Sequence, residues 1–337
     1  MNLADYSYQK IAVDQILELL RKGNKTVLLG AATGSGKSFM AKDVIVDLAQ
    51  DRSKKIVFLA HGQNVLKDQF MELLDETIVN QFQYGELGEG KQVSVGLPHY
   101  FNSKNVDRID YLIIDEAHEY FLADMEQEII KKHNPQILLL TGSPGKFNKD
   151  RNIKCVYVSG EQMLKRNVYA PVDLDMVRVP NKSTALGLDY SFQKLQAKGA
   201  VLDKVMIVCK SIMQAKITKG YMEKKGFKTA LSTSDNDESG EQIKLFKTKN
   251  DYRCLIVVNR GILGFNEGRI TALIDLKGSN NLDTVNQYFS RLLRIHPEGL
   301  GKFFIRVSTN DKWNKDVKLL HDIIGLMSLK TLKNYVA

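Results

Sequence analysis

The glycine-rich turn Ala-Ala-Thr-Gly-Ser-Gly-Lys-Ser, residues 31–38, limits what this chain can become more than any other segment. It follows the apolar run TVLLG (26–30) and opens the helix-like stretch SFMAKDVIVDLAQ (38–50). A strand, a tight turn and a helix in that order aim several backbone N–H groups into one concavity, and the helix N-terminus adds partial positive charge. Gly34 and Gly36 allow backbone angles and a close approach that a Cβ would deny. Lys37 then suits phosphate oxygens, and the hydroxyl of Ser38 suits a divalent cation. The spacing G-x-x-x-x-G-K-[ST] is met except at its first position, where Ala31 stands. Residues Thr33, Gly34, Ser35, Gly36, Lys37 and Ser38 form the candidate phosphate-binding set.

A second chemical signal lies about 80 residues downstream, where the apolar run of YLIIDEAH (111–118) ends in two acids. At the carboxyl end of a buried strand, Asp115 is placed to hold Mg²⁺. Glu116, pointing elsewhere, could polarise an attacking water as general base. Open α/β sheets bind their ligands at such strand tips.

Around these signals, short Val/Ile/Leu-rich runs alternate with helix-like stretches. The first half has TVLLGAA (26–32), KIVFLA (55–60), VSVG (93–96), YLIID (111–115) and ILLLT (137–141). The second half has KVMIVC (204–209), KTALS (228–232), CLIVV (254–258), ALIDL (272–276) and FFIRV (303–307). Apolar runs without polar alternation suit strands covered on both faces, so the pattern predicts α/β domains with mostly parallel sheets. For 337 residues two domains are expected, 1–170 and 171–337, with the boundary in the polar stretch 171–184 that holds two of the six prolines. The tract STSDNDESGEQ (232–242) reads as a solvated loop leading into a helix.

Composition excludes several classes. Cys155, Cys209 and Cys254 form no CxxC pair, which argues against a disulfide scaffold or zinc ribbon. No apolar run approaches the roughly 18 residues of a membrane span, and the opening MNLADYSYQK lacks signal-peptide character. A cytoplasmic protein is expected, in a bacterial host if the chain is virus-encoded. The net charge of +9 is unevenly spread. Residues 1–170 carry 21 basic and 22 acidic side chains, and residues 171–337 carry 27 and 17. A basic second half is open to two readings, a polyanion partner or a lysine-rich solvated surface.

ATGSGKS (32–38) together with DEAH (115–118) resembles the superfamily-2 helicases, and further motifs occur in that family's order from residue 6 to residue 294. Tyr8-Gln9 resembles the motif that reads adenine. AHGQNVLKDQ (60–69) is similar to the strand-plus-helix-start motif that grips the nucleic-acid backbone, and SVGLPH (94–99) resembles a weaker version of the next strand-loop motif. TGSP (141–144) resembles the Ser/Thr motif that couples hydrolysis to motion, VNRGILGFNEG (258–268) the glycine-rich coupling motif, and QYFSRLLR (287–294) the Q-x-x-G-R-x-x-R motif. Several of these are shared with the DNA-acting branch, including phage UvsW-like and bacterial RadD-like helicases. Two departures stand out. Ser290 replaces a glycine, and Asn266 stands where an acid is common.

The resemblance implies two tandem RecA-like domains with an ATP cleft between them, ATP and Mg²⁺ as nucleotide and metal, and movement along nucleic acid, with DNA favoured over RNA. It implies that Gln287 contacts nucleotide and that Arg291 and Arg294 act as arginine fingers; three residues apart, they would share one helix face. His61 and Gln69 would touch nucleic acid. His118, Thr141 and Ser143 would relay motion, and Asn259, Arg260 and Gly261 would contact phosphates or the coupling network. A monomer is expected, with a replication or repair protein as partner. Two alternatives remain open: an RNA helicase, and a DNA translocase or clamp subunit that separates no strands.

Overall fold

The computed structural model describes residues 4–327 apart from 33, 61–63, 76–82, 102–105, 122, 143–146, 148–151, 182, 238–239 and 259–266. By its internal contacts the chain divides into two units, Ala4–Gln162 and Met163 onward.

The first unit is built on strands β1 (Thr26–Ala31), β2 (Ile56–Leu59), β3 (Tyr84–Glu86), β4 (Val93–Gly96), β5 (Tyr111–Ile114), β6 (Gln136–Thr141) and β7 (Ile153–Val158). They form one parallel sheet in the order β3-β4-β2-β5-β6-β1-β7. Its helices are α1 (Ser7–Arg21), α2 (Lys37–Leu48), α3 (Asn64–Asp75), α4 (Pro98–Phe101), α5 (Ala117–Tyr120) and α6 (Asp124–His133); α7 (Gly160–Lys165) leads into the second unit. Alternate strand residues meet on one sheet face, so Val57 and Leu59, Leu112 and Ile114, and Ile137 and Leu139 join one core cluster. Phe70 of α3 stacks on Phe58 of β2 with ring centroids 3.7 Å apart, fixing that helix to the sheet.

The second unit contains β8 (Val172–Val179), β9 (Lys204–Val208), β10 (Lys228–Ser232), β11 (Tyr252–Val257), β12 (Ile270–Asp275) and β13 (Lys302–Thr309), parallel in the order β10-β11-β9-β12-β13-β8. The helices α8 (Thr184–Ala197), α9 (Ile212–Lys224), α10 (Glu241–Thr248), α11 (Leu282–Phe289) and α12 (Trp313–Met327) accompany it. Side chains of Ser183, Ser211 and Asn281 accept backbone N–H bonds at the starts of α8, α9 and α11, satisfying donors those helices leave open. Val205, Ile207, Ile256, Ile274 and Ile305 lie in one buried cluster with Cys209 and Cys254. Burial pushes the Cys209 thiol up to about 12, and both core cysteines pack as small apolar groups. The buried Arg306 guanidinium donates to Asp275 and Asp316, both at 2.6 Å, tying β13 to β12 and α12. Removing one partner of such a buried set typically costs about 3–5 kcal/mol.

Three strands escape a search for continuous apolar runs, and all three are sheet edges: β3, β7 and β8. An edge strand keeps one side wet, as the exposed Tyr157 of β7 shows, so its sequence alternates. Within the polar stretch 171–184, Val172–Val179 is a strand that pairs along its full length with β13. The second unit also claims Ala170, whose N–H bonds the Leu293 carbonyl. The tract 232–242 departs from a simple solvated loop. Thr233 and Asp237 are buried, and Asn236 bonds back to the Leu231 carbonyl. Among the described residues no helix is long and apolar enough to cross a membrane.

Candidate functional site

The carboxyl ends of the neighbouring strands β5, β6 and β1 bring the sequence-predicted groups of the first unit together. Gly30 pairs with Thr141, so the end of β6 stands level with the start of the glycine turn. Asp115 follows directly on β5, its N–H held by the Leu59 carbonyl at 3.1 Å.

The turn itself is shaped by two left-handed glycines, Gly34 (φ 86°) and Gly36 (φ 87°), a region that favours glycine. Gly36 is the N-cap of α2, and Lys37 is its first residue. The first turn of any helix leaves N–H groups without intrahelical partners, so the start of α2 presents donors and positive potential at the turn. Lys37 Nζ donates to the Ala31 carbonyl at 3.3 Å, spanning the turn.

Helix α1 braces this turn. Tyr8, Ala12, Val13, Ile16, Leu17 and Leu20 are buried at helical spacing, which seats one face of α1 against the sheet and α2. That seating delivers the Tyr8 hydroxyl to the Ser35 carbonyl at 2.6 Å and Gln9 Nε2 to the same carbonyl at 3.1 Å. A Cβ on Gly36 would stand 2.3 Å from Gln9 Nε2, so the glycine also makes room for this brace. Tyr8 and Gln9 ride on a helix that was not expected from the sequence, although the apolar period from 8 to 20 signals it.

At the acidic end, Asp115 Oδ1 accepts the Glu116 N–H at 2.9 Å. Glu116 takes a left-handed backbone (φ 47°), a conformation uncommon for a side-chain-bearing residue and often met at functional turns. Burial pushes the Asp115 carboxyl up to about 6, and the adjacent Glu116 pushes the same way; Lys37 and the Glu116 N–H pull it down. The pull of Lys37 on Asp115 accords with the two side chains standing at the same end of the sheet. A half-buried carboxylate held this high gains by meeting a cation, so Asp115 fits a divalent metal. Mg²⁺ is commonly held by one or two carboxylates with phosphate oxygens, and among the described residues no cluster of three or more His, Cys, Asp or Glu offers a separate metal cage. Buried His118 links the two strand ends, its Nδ1 3.4 Å from Glu116 Oε2 and 3.0 Å from Thr141 Oγ1.

In the second unit Gln287 lies in α11, but that helix ends at Phe289. The expectation that Arg291 and Arg294 share a helix face is corrected. Successive i→i−3 turns bond Arg291 to Tyr288, Leu292 to Phe289 and Leu293 to Ser290. They bury Leu292 and Leu293, and Arg294 then forms a β-bridge with Tyr169. Both arginines are half-buried. Thr33, His61, Ser143, Asn259, Arg260 and Gly261 lie outside the described residues, as does the side chain of Gln69 on α3.

Comparison with known proteins agrees with this architecture. Residues 2–146 match the family model "Type III restriction enzyme, res subunit". The type I restriction enzyme EcoKI endonuclease subunit of Escherichia coli (strain K12) is 27% identical over 140 residues, 36% of this chain and 12% of that protein, so the chain matches only about an eighth of that relative. Among solved structures, Saccharomyces cerevisiae Dbp5 bound to RNA and ADP BeF3 superposes with a TM-score of 0.68 at 15% identity, over 95% of this chain and 86% of that one. A fragment of a putative HsdR subunit of a type I restriction enzyme from Vibrio vulnificus gives 0.70 at 17% identity, over 93% and 66%. The fold is two RecA-like domains in tandem.

Proposed function

We propose that this chain is an ATP-hydrolysing, nucleic-acid-dependent helicase or translocase of superfamily 2, with DNA favoured over RNA as its track. One observation carries the reading: the Lys37-bearing turn after β1 and the Asp115–Glu116 pair after β5 stand at the same end of the sheet, on either side of β6, and the Lys37 charge pulls the Asp115 carboxyl down. In this reading the turn backbone and Lys37 hold the phosphates, and Tyr8 and Gln9 fix the adenine side of the turn. Mg²⁺, held by Ser38 and Asp115, would neutralise charge on the phosphates. Glu116 accepts the proton of the attacking water. Arg291 and Arg294 of the second domain stabilise the transferring phosphoryl group, an effect worth about 10³–10⁵ in rate in other phosphoryl-transfer systems. Gln287 contacts nucleotide beside them. The Thr141–His118 contact transmits the state of the Asp115 end to β6.

Two facts favour DNA. The matching family model and the curated relative are both restriction-enzyme subunits, and the basic excess of the chain lies in its second half. The RNA-bound state of Dbp5 favours a second reading, an RNA-dependent ATPase. Steady-state ATP hydrolysis with single-stranded, duplex and forked DNA and with RNA separates them. Stronger stimulation by a DNA form is expected; stimulation by RNA alone would favour the second reading. A strand-displacement assay on the same substrates distinguishes unwinding from translocation.

A further inference from the structure

The two sheets share one strand order. Numbered by order within each unit, β1–β6 and β8–β13 both run 3-4-2-5-6-1, with β7 added at the edge of the first. Strand β8 and helix α8 of the second unit therefore correspond to β1 and α2 of the first, β12 to β5, and β13 to β6. In the first unit this junction holds the glycine turn, Asp115 and Thr141. In the second it holds a cavity of about 100 Å³, lined by Val179 at the end of β8, Ser183 and Thr184 at the start of α8, the chain after β12, and Thr309 at the end of β13.

The lining is cationic. Lys210, Lys277 and Lys312 all face it. Lys210 and Lys312 form no ion pair among the described residues. Burial holds the Lys277 ammonium below its usual range, against the pull of Asp275. That carboxylate already accepts from Arg306 and from the Tyr288 hydroxyl. The acid in the lining, Asp316, is likewise engaged, by Arg306 at one oxygen and by Ser308 at the other. The Thr184 hydroxyl accepts from Gln214 Nε2 at 3.3 Å and keeps its own proton to donate. The space amounts to a few water volumes, the scale of one phosphate group.

We propose that this cavity is a phosphate site of the second domain, taking inorganic phosphate or the terminal phosphate of a small phosphorylated molecule. It is not a second hydrolytic site. Helix α8 starts on Ser183 with ordinary backbone angles, without the left-handed glycine that shapes the turn before α2. Asp275, at the end of β12, is locked to Arg306 and Tyr288, whereas Asp115 fits a metal. The inference goes beyond the motor reading and stands or falls without it.

The test uses the full chain carrying Lys37→Ala, which weakens phosphate binding at the first-domain turn. Calorimetric titration with inorganic phosphate and with pyrophosphate at constant ionic strength is expected to show saturable binding, with chloride as control. Adding Lys277→Gln and Lys312→Gln together is expected to weaken it tenfold or more. Lys210→Gln, at an exposed side chain, gives a smaller loss and keeps the test decisive if the double variant fails to fold. Oligonucleotides with and without a 5′-phosphate separate the sources. Lysine dependence for phosphate and for the 5′-phosphorylated strand supports the site. Absence of saturable phosphate binding, binding indifferent to all three lysines, or lysine dependence confined to the strand lacking a terminal phosphate would overturn it.

Discussion

Thr141 Oγ1 and His118 Nδ1 lie 3.0 Å apart in the interior, joining the end of β6 to the turn that follows β5. His118 also approaches Glu116, so a change at the acidic pair has a direct mechanical route to β6. Thr141→Val keeps the shape and removes the hydroxyl. The variant is expected to bind nucleotide normally and to lose about tenfold of its nucleic-acid stimulation, a loss of the order of one hydrogen bond. Paired measurements of nucleotide affinity and stimulated turnover check this; equal losses in both would point to a local packing role instead.

The raised Asp115 carboxyl predicts an opposite pH dependence for stability and for metal binding. The folded protein holds this proton more tightly than the unfolded chain, so the group's stabilising contribution is full below about pH 4 and is lost as pH rises through about 6. Two pKa units correspond to about 3 kcal/mol. Asp115→Asn is expected to raise the melting temperature of the nucleotide-free protein at pH 8 and to leave it nearly unchanged at pH 4. Mg²⁺-dependent nucleotide binding by the unaltered protein needs the ionised form and should strengthen as pH rises through about 6.

Gly36→Ala tests the brace. At φ 87° an L-residue costs about 1–2 kcal/mol, readable by urea denaturation. The new Cβ would also displace Gln9 Nε2 and its bond to the Ser35 carbonyl. Gly23→Ala is the control, because its φ of 81° is equally strained but nothing lies within 4 Å. Comparable stability losses are expected in both, with weakened nucleotide affinity in Gly36→Ala alone.

The contrast between these positions shows what the sequence carried. Gly-Lys-Ser and Asp-Glu were legible because each sits where an interior apolar strand stops, and buried parallel strands leave continuous apolar runs. Edge strands such as β8 were hidden, because VDLDMVRV alternates charge with apolar residues and resembles a linker. Local spacing also misplaced Arg291 and Arg294. Spacing alone does not mark where a helix stops: α11 ends at Phe289, the chain runs on in i→i−3 turns, and Arg294 enters a β-bridge with Tyr169. The Gly36–Gln9 approach joins residues 27 positions apart and has no local signature.

The arginines nonetheless remain the proposed phosphoryl-stabilising groups. Arg291→Ala is expected to cut ATP turnover by about 10³-fold or more while sparing nucleotide affinity, because the interaction is made mainly in the transition state. Fluorescent-nucleotide binding beside steady-state turnover separates the two effects; a loss confined to affinity would assign Arg291 to binding.

The central claim, that the Lys37 turn and Asp115 form a phosphate-hydrolysing site answering to nucleic acid, is tested most directly by steady-state ATP hydrolysis with and without DNA in the unaltered chain and in Lys37→Ala. The account predicts DNA-stimulated turnover that falls to background on substitution. Undiminished turnover in Lys37→Ala would contradict it.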